Sequence, residues 1–210
     1  MPDLVTLIPF VLASAILVAI PGPAVLYIVS TGIGKGRRMA VASALGIETG
    51  GLVHVLAAGV GLSAILARSA VAYSVIKYLG AAYLIYLGIK TLRSPDEIDS
   101  LNVGGNDLSW GQAYRRGVLV NAFNPKVALF FLAFLPQFVV PSQGGVALQI
   151  IGLGLLFIVI ATAIDMTYAL ASGSIGRLLR RSPRLIKGRR LVSGVTYLAL
   201  GASAAVTESA

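Results

Sequence analysis

Apolar residues in this chain come in long unbroken blocks instead of alternating with polar ones. Six blocks, at residues 4–31, 40–66, 70–91, 117–140, 146–171 and 191–206, can cross a hydrocarbon layer of about 30 Å at about 1.5 Å per helical residue. The last is the shortest and is rich in small residues. A membrane barrel would alternate apolar and polar positions over segments of about ten residues, and stretches 11–20 and 153–163 show no such alternation. The pattern predicts an all-α membrane protein with about six transmembrane helices.

Composition agrees. The chain is 57% hydrophobic and 12% charged, with a mean hydropathy of +0.87, where a soluble domain carries about 25% charged residues. Asp3 is the only charge ahead of the first block, so a cleaved signal peptide, which needs a basic leader, is not expected. The absence of cysteine excludes disulfides, thiolate metal sites and a cysteine nucleophile.

The net charge of +9 would suggest a nucleic-acid partner in a soluble protein, but its distribution gives a better account. Lys35, Arg37 and Arg38 fall in the first loop, and Lys90, Arg93, Arg115 and Arg116 in the third. The fifth holds Arg177, Arg180, Arg181, Arg184, Lys187, Arg189 and Arg190. Outside the spans, Arg68 alone lies on the other side. Basic residues mark the cytoplasmic face, so both termini are expected outside and no nucleic acid is expected as partner. The loop between Arg177 and Arg190 is also expected to rest on anionic lipid heads.

Two features recur between the halves. Pro21-Gly22-Pro23 in the first span is matched by Asn124-Pro125-Lys126 in the fourth, and Gly80-x-x-Tyr83-Leu84 in the third by Gly194-x-x-Tyr197-Leu198 in the sixth. Three spans per half would give two inverted repeats, a design of secondary transporters. The expected organisation is one transmembrane domain, 1–210, with halves at about 1–92 and 115–207 joined by a cytoplasmic loop at about 93–114. Within these blocks Pro23 falls late and Pro125 early, so the inversion is approximate.

Pro21-Gly22-Pro23 cannot continue a regular helix, because each proline removes an amide donor and crowds the preceding turn. Such a break is either a packing kink or, lying against protein or water, part of a site. The ionisable residues within the spans are Glu48, His54, Lys77, Lys126 and Asp165. A charge there costs roughly 2.5–3.5 kcal/mol and needs a partner or a cavity. From the cytoplasmic ends of their helices Glu48 lies about 14 Å deep, Lys126 about 15 Å, Asp165 about 10 Å and Pro23 about 18 Å. Four features from four spans thus share one layer. They are expected to line one polar cavity, Glu48 and Asp165 meeting an ammonium group or a proton. Lys126 and the half-helix after Pro23 would meet a carboxylate. The alternative is an internal ion pair of Lys126 with either acid.

Lys77 lies close enough to the outer end of its span to snorkel. His54, the only histidine, suits a proton relay or an interhelical hydrogen bond equally. Asn121 and Gln137 are candidates for interhelical hydrogen bonds, and Gly46-x-x-x-Gly50, followed by Gly51, permits close helix approach.

In order, Pro21-Gly22-Pro23, Gly36-Arg37-Arg38, Gly46-x-x-x-Gly50-x-x-x-His54, Lys77-x-x-Gly80-Ala81-Ala82-Tyr83-Leu84-x-Tyr86-Leu87-Gly88, Asn121-x-x-Asn124-Pro125-Lys126, Phe130-Phe131 and Pro136-Gln137-Phe138 form a specific series. Over nearly the whole chain it resembles the lysine exporter (LysE/RhtB) family of amino-acid exporters. The resemblance implies a six-helix, multi-pass protein of the inner membrane that exports amino acids or derivatives using the proton-motive force. It implies a central site that includes Pro21, Gly22, Pro23, Asn124, Pro125 and Lys126, with Asp165 as the family's acid in the fifth span. It implies neither cofactor, resident metal nor catalytic residue. Many relatives carry a further acid where this chain has Gly51, and Glu48 is placed to supply that charge from one turn earlier.

Other classes fare worse. A rhomboid-type hydrolase needs a Gly-x-Ser-Gly-like setting, which is absent, and the one histidine and lack of cysteine disfavour export of soft metals. Export of another small solute, a passive channel and a homo-oligomer are left open by the sequence.

Overall fold

The structure is a computed structural model, which describes residues 4–68, 70–93, 108–181, 191, 194–195, 198–202 and 205–206. Among these, every regular element is helical. The first apolar block is two helices, α1 (Leu4–Ala19) and α2 (Pro23–Lys35), inclined by 47°. Pro23 opens α2 at a position whose amide has no helical partner in any case. Gly36, at φ +86°, turns the chain into α3 (Arg37–Ala57) through a left-handed conformation that glycine adopts freely. A π-helical segment (Ala58–Leu62) and α4 (Ser63–Arg68) continue α3, and α5 spans Ala70–Arg93.

The second half begins with α6 (Trp110–Ala122), seven residues earlier than the apolar block suggests. Its start is a capping box: Gln112 N donates to Ser109 Oγ and Ser109 N to Gln112 Oε1. A break at Asn124 bends the chain by 42° into α7 (Pro125–Leu129), which runs on as a π-helical segment (Phe130–Phe134) and a 3₁₀ turn (Leu135–Phe138). With α6 at this length both breaks are near mid-helix, 16 residues preceding the first and 13 the second. The offset expected between Pro23 and Pro125 largely disappears. α8 (Val146–Arg181) has 36 residues, about 54 Å, and carries the chain beyond the fifth apolar block into its first basic residues. Most of the loops at 93–114 and 177–190 lies outside the described residues, as do the side chain of Lys77 and Tyr197.

Residues Arg37–Ile65 and Val146–Ser174 are each long and apolar enough to cross a membrane, and the two bent pairs reach that length when each is taken as one span. The described residues of 191–206 are helical and lie on α5, where a Cβ on Gly201 would come within 2.8 Å of the Ala81 carbonyl and one on Gly88 within 2.9 Å of the Gly194 carbonyl. The glycines paired by the sequence repeat meet different partners, Gly80 facing Ala133 and Gly194 facing Leu92.

Two contacts organise the interior. One is an aromatic cluster in which Phe130 meets Phe157 at 4.8 Å and Phe10 meets Phe138 edge-on at 5.2 Å, joining α1, α8 and the segment after α7. Gln149 ties the turn beside it, donating to the Val140 and Gly144 carbonyls at 3.0 and 2.7 Å. The other contact is the approach of α3 to α6. Gly46 and Gly50 lie against the Tyr114 and Val118 carbonyls, and Gly117 against that of Ser43. Small residues let two backbones come this close in a membrane, and the close approach expected of Gly46-x-x-x-Gly50 is made here.

Replacing Gly50 or Gly117 by Leu inserts a side chain where a Cβ alone already collides with backbone, and is expected to cost at least about 1–3 kcal/mol. Gly61→Leu, at a position with open space around its Cβ, is the matched control. Thermal unfolding in detergent should show a clear drop for the first two and little change for the third.

Candidate functional site

The site begins with backbone carbonyls. In a regular helix the Ala19 carbonyl would accept from residue 23, but Pro23 has no N–H. Tyr168 Oη, from α8, donates to it instead at 2.6 Å. The next carbonyl, of Ile20 at the break itself, accepts from Lys126 Nζ at 2.8 Å. At the second break Pro125 leaves the Asn121 carbonyl in the same position. It is met by Asn124 N at 2.9 Å and by His54 Nε2, from α3, at 2.8 Å. A line of amides completes the second break. Asn121 Nδ2 donates to the Ile47 carbonyl at 2.7 Å, Asn124 Nδ2 to Asn121 Oδ1 at 3.3 Å, and Asn124 Oδ1 caps Lys126 N at 3.1 Å.

Between the breaks lies a cavity of about 30 Å³, room for about two waters. Gly22, Glu48, Asn121, Asn124, Lys126 and Asp165 line it, with apolar walls from Leu17, Val18, Ala24, Val25, Ile47, Val127, Phe157 and Ala161. Glu48 and Asp165 are 7% and 3% exposed. They face one another, with Thr162 beside Glu48 and Lys126 beside Asp165. No group from another residue donates to either oxygen of Glu48 or to Oδ1 of Asp165, so the two carboxyls have chiefly one another as partners. Buried carboxyls in such a setting are costly, and each one calls for an explanation.

The cavity brings together Glu48, Lys126 and Asp165, three of the four features that the depth argument placed in one layer, with Gly22, Asn121 and Asn124; Pro23, the fourth, stands next to Gly22 without lining it, and Pro21 and Pro125 likewise flank it. Lys126 lines the cavity and also donates to the Ile20 carbonyl, which holds the two breaks together in this conformation. Of the two roles open to His54, the structure has the hydrogen bond between helices, to the Asn121 carbonyl, and His54 does not line the cavity. One expectation changes. Gln137 bonds the Ala133 carbonyl at 2.8 Å within its own segment and not a neighbouring helix, because the 3₁₀ turn places its side chain over the preceding residues. The half-helix termini also differ: α7 is capped by Asn124, whereas α2 begins at Gly22 with no side-chain cap.

Sequence reasoning missed Tyr168 and Thr162. Tyr168 stands three residues after Asp165, on the same helical face, and that spacing was the available signal. His54 and Tyr168 stand in matching relations to the two breaks, each bonding the carbonyl four residues before a proline. Counting back from each, Gly51 matches Asp165 and Glu48 matches Thr162. A Cβ on Gly51 would lie 3.2 Å from Asn121 Nδ2, so position 51 faces the amide line, and Glu48 reaches the cavity from one turn earlier.

The model of the LysE type translocator family matches residues 15–208. The chain belongs to the LysE translocator family. Membership makes it a membrane transport protein and not an enzyme. Relatives include a homoserine/homoserine lactone efflux protein of Salmonella typhimurium, 35% identical over 92% of both chains. A leucine efflux protein of Enterobacter sp. is 28% identical over 92% of both chains. A Vibrio cholerae relative, named as an uncharacterized membrane protein, is 28% identical over 95% of this chain and 96% of its own. No solved structure matches significantly.

In this LysE translocator, Tyr168→Phe and His54→Phe each remove the side-chain partner of a carbonyl beside a proline. Hydrogen bonds between membrane helices contribute about 0.6 kcal/mol on average and at most about 1.7. Each variant is expected to lose stability within that range in denaturation from detergent micelles. Lys126→Met, which also leaves Asp165 without its neighbouring cation, should lose more.

Proposed function

We propose that this protein exports amino acids from the cytoplasm across the inner membrane by secondary transport driven by the proton-motive force. The carrying observation is the polarity of the cavity between the breaks. It holds two facing buried carboxyls whose oxygens no other residue's donor meets, and it is lined by Gly22 and Ala24 at the start of α2, which has no side-chain cap. The carboxyls suit an ammonium group, and the helix N-terminus suits a carboxylate. That is the charge pattern of an amino-acid zwitterion. Besides Asn121, Asn124 and Lys126 the remaining walls are apolar, which, with a cation already among them, fits a neutral side chain better than a cationic one, and the relatives named for efflux of homoserine and leucine support the same class.

At about 30 Å³ the cavity is closed to such a cargo, so the cycle requires it to open to each side in turn. The broken helices suit this role, since a break lets half a span move while the other half stays packed. The arrangement proposed is six spans in two inverted halves, about 1–92 and 115–207, with both termini outside. The mirrored anchoring of the breaks by His54 and Tyr168 supports the inversion, and the basic loops support the orientation. Residues between Arg177 and Arg190 would then rest on anionic lipid at the cytoplasmic surface.

Efflux from cells preloaded with leucine- or homoserine-containing dipeptides, with and without a protonophore, tests the proposal. Expression should raise efflux, the protonophore should lower it, and Asp165→Asn at normal membrane yield should return it to background. Efflux of no amino acid above background would refute export, and full efflux by Asp165→Asn would remove the acid from the site.

A further inference from the structure

We propose that Glu48 carries the proton exchanged for the cargo, while Asp165, which has Lys126 beside it, stays ionised, so that proton and cargo ammonium occupy the same place in turn. The inference rests on the exporter reading and deepens it. Its basis is how the charges around the cavity are grouped. Among the residues lining it, the ionisable ones are Glu48, Lys126 and Asp165: two acids and one base. From α7, Lys126 stands beside Asp165. From α8, Asp165 and the neutral hydroxyl of Thr162 are what Glu48 meets, while Tyr168 gives its hydrogen to the Ala19 carbonyl. From α2 come Gly22, Ala24 and Val25, and from α6 Asn121, none of them charged. On its own helix, His54 is turned to the Asn121 carbonyl. Among the described residues, Asp165 therefore has a cation beside it, Lys126, and Glu48, both of whose oxygens lack a donor, has none.

Two facing carboxyls buried in one small cavity cannot both remain ionised without a cation between them. The pair takes one positive charge: a proton on Glu48 when the site is empty of cargo, or the cargo ammonium when it is loaded. The exchange balances. On the cytoplasmic side the ammonium arrives between the carboxyls, the Glu48 O–H bond breaks and the proton leaves to the cytoplasm. On the outer side the cargo departs with its ammonium intact, and a proton from outside forms a new O–H bond on Glu48. Each cycle moves one zwitterion out and one proton in. Because the zwitterion has no net charge, each cycle also carries one positive charge inward and responds to membrane potential.

The full-length protein in liposomes, with L-leucine and L-homoserine as probes, tests this through the ratio of proton to amino-acid flux. The expected ratio is one for the wild type and zero for whatever transport Glu48→Gln retains, with coupling restored by Glu48→Asp. A wild-type ratio kept in Glu48→Gln would overturn the assignment. Should that variant carry no measurable flux, proton release from unbuffered wild-type protein on adding the same probes decides. Release of about one proton per chain, absent in Glu48→Gln, supports the proposal, and no release by the wild type overturns it. Absence of any flux of either probe in the wild type would strike the exporter reading itself, whereas uncoupled wild-type flux would strike this inference alone.

Discussion

A carbonyl that loses its helical donor inside a membrane must be met by another group, because hydrocarbon offers none. Pro23 and Pro125 each create such a carbonyl, at Ala19 and Asn121, and much of the fold follows from meeting that demand. Tyr168 requires α8 to lie against the end of α1, Lys126 requires α7 to lie beside the first break, and His54 requires α3 to lie beside the second. The glycines of α3 and α6 are what allow the last of these. With any larger residue at Gly50 or Gly117 the two backbones would part, and His54 would no longer reach the Asn121 carbonyl at 2.8 Å. Helix packing and carbonyl satisfaction are one constraint here.

The cavity is a product of the same arrangement. Two helices broken at similar depth, held tip to flank by side chains from other helices, cannot fill the space between them with regular backbone. The residues that face that space divide into two kinds. Lys126, Asn121 and Asn124 are hydrogen-bonded to neighbouring groups and fix the walls. Glu48 and Asp165 are buried acids with oxygens that no donor meets, a costlier departure from polar satisfaction than the two buried hydroxyls, of Ser14 and Thr31, that share it. Such violations are expected where a protein gives up stability for function. In the proposed transport cycle that cost becomes binding capacity, since a cation entering between them would regain what burial took away.

The match between the two breaks is close without being complete. His54 and Tyr168 stand in equivalent relations to the prolines, yet one break carries a glycine where the other carries Asn124, and one helix start is capped where the other is open. The acids differ as well: Asp165 has Gly51 as its counterpart, and the charge sits instead at Glu48, opposite Thr162. Inequivalent ends are what a cargo with two unlike ends requires. A site of strict symmetry would offer the same surface to ammonium and carboxylate.

The sequence alone determined the membrane character, the helical class and the residues of the polar layer, because apolar block length and the expense of buried charge are local properties that need no partner to be read. It also named the small-residue interface of α3, since glycines at a four-residue spacing act through a single helical face. It could not say which groups satisfy which. Lys126 was legible as a residue of the polar layer, but not its bond to a carbonyl on α1; for His54 a relay and a hydrogen bond between helices were equally open, and the packing supplies the bond; Tyr168 was not noticed, although it stood one turn from Asp165. The length of α6 escaped the apolar pattern because its first turns are polar, even though Ser109 and Gln112 encode its start. These outcomes depend on distances between residues as far apart as Ile20 and Lys126, or Ala19 and Tyr168. A hydrogen bond depends on tenths of an ångström, and only the packing of whole helices sets those.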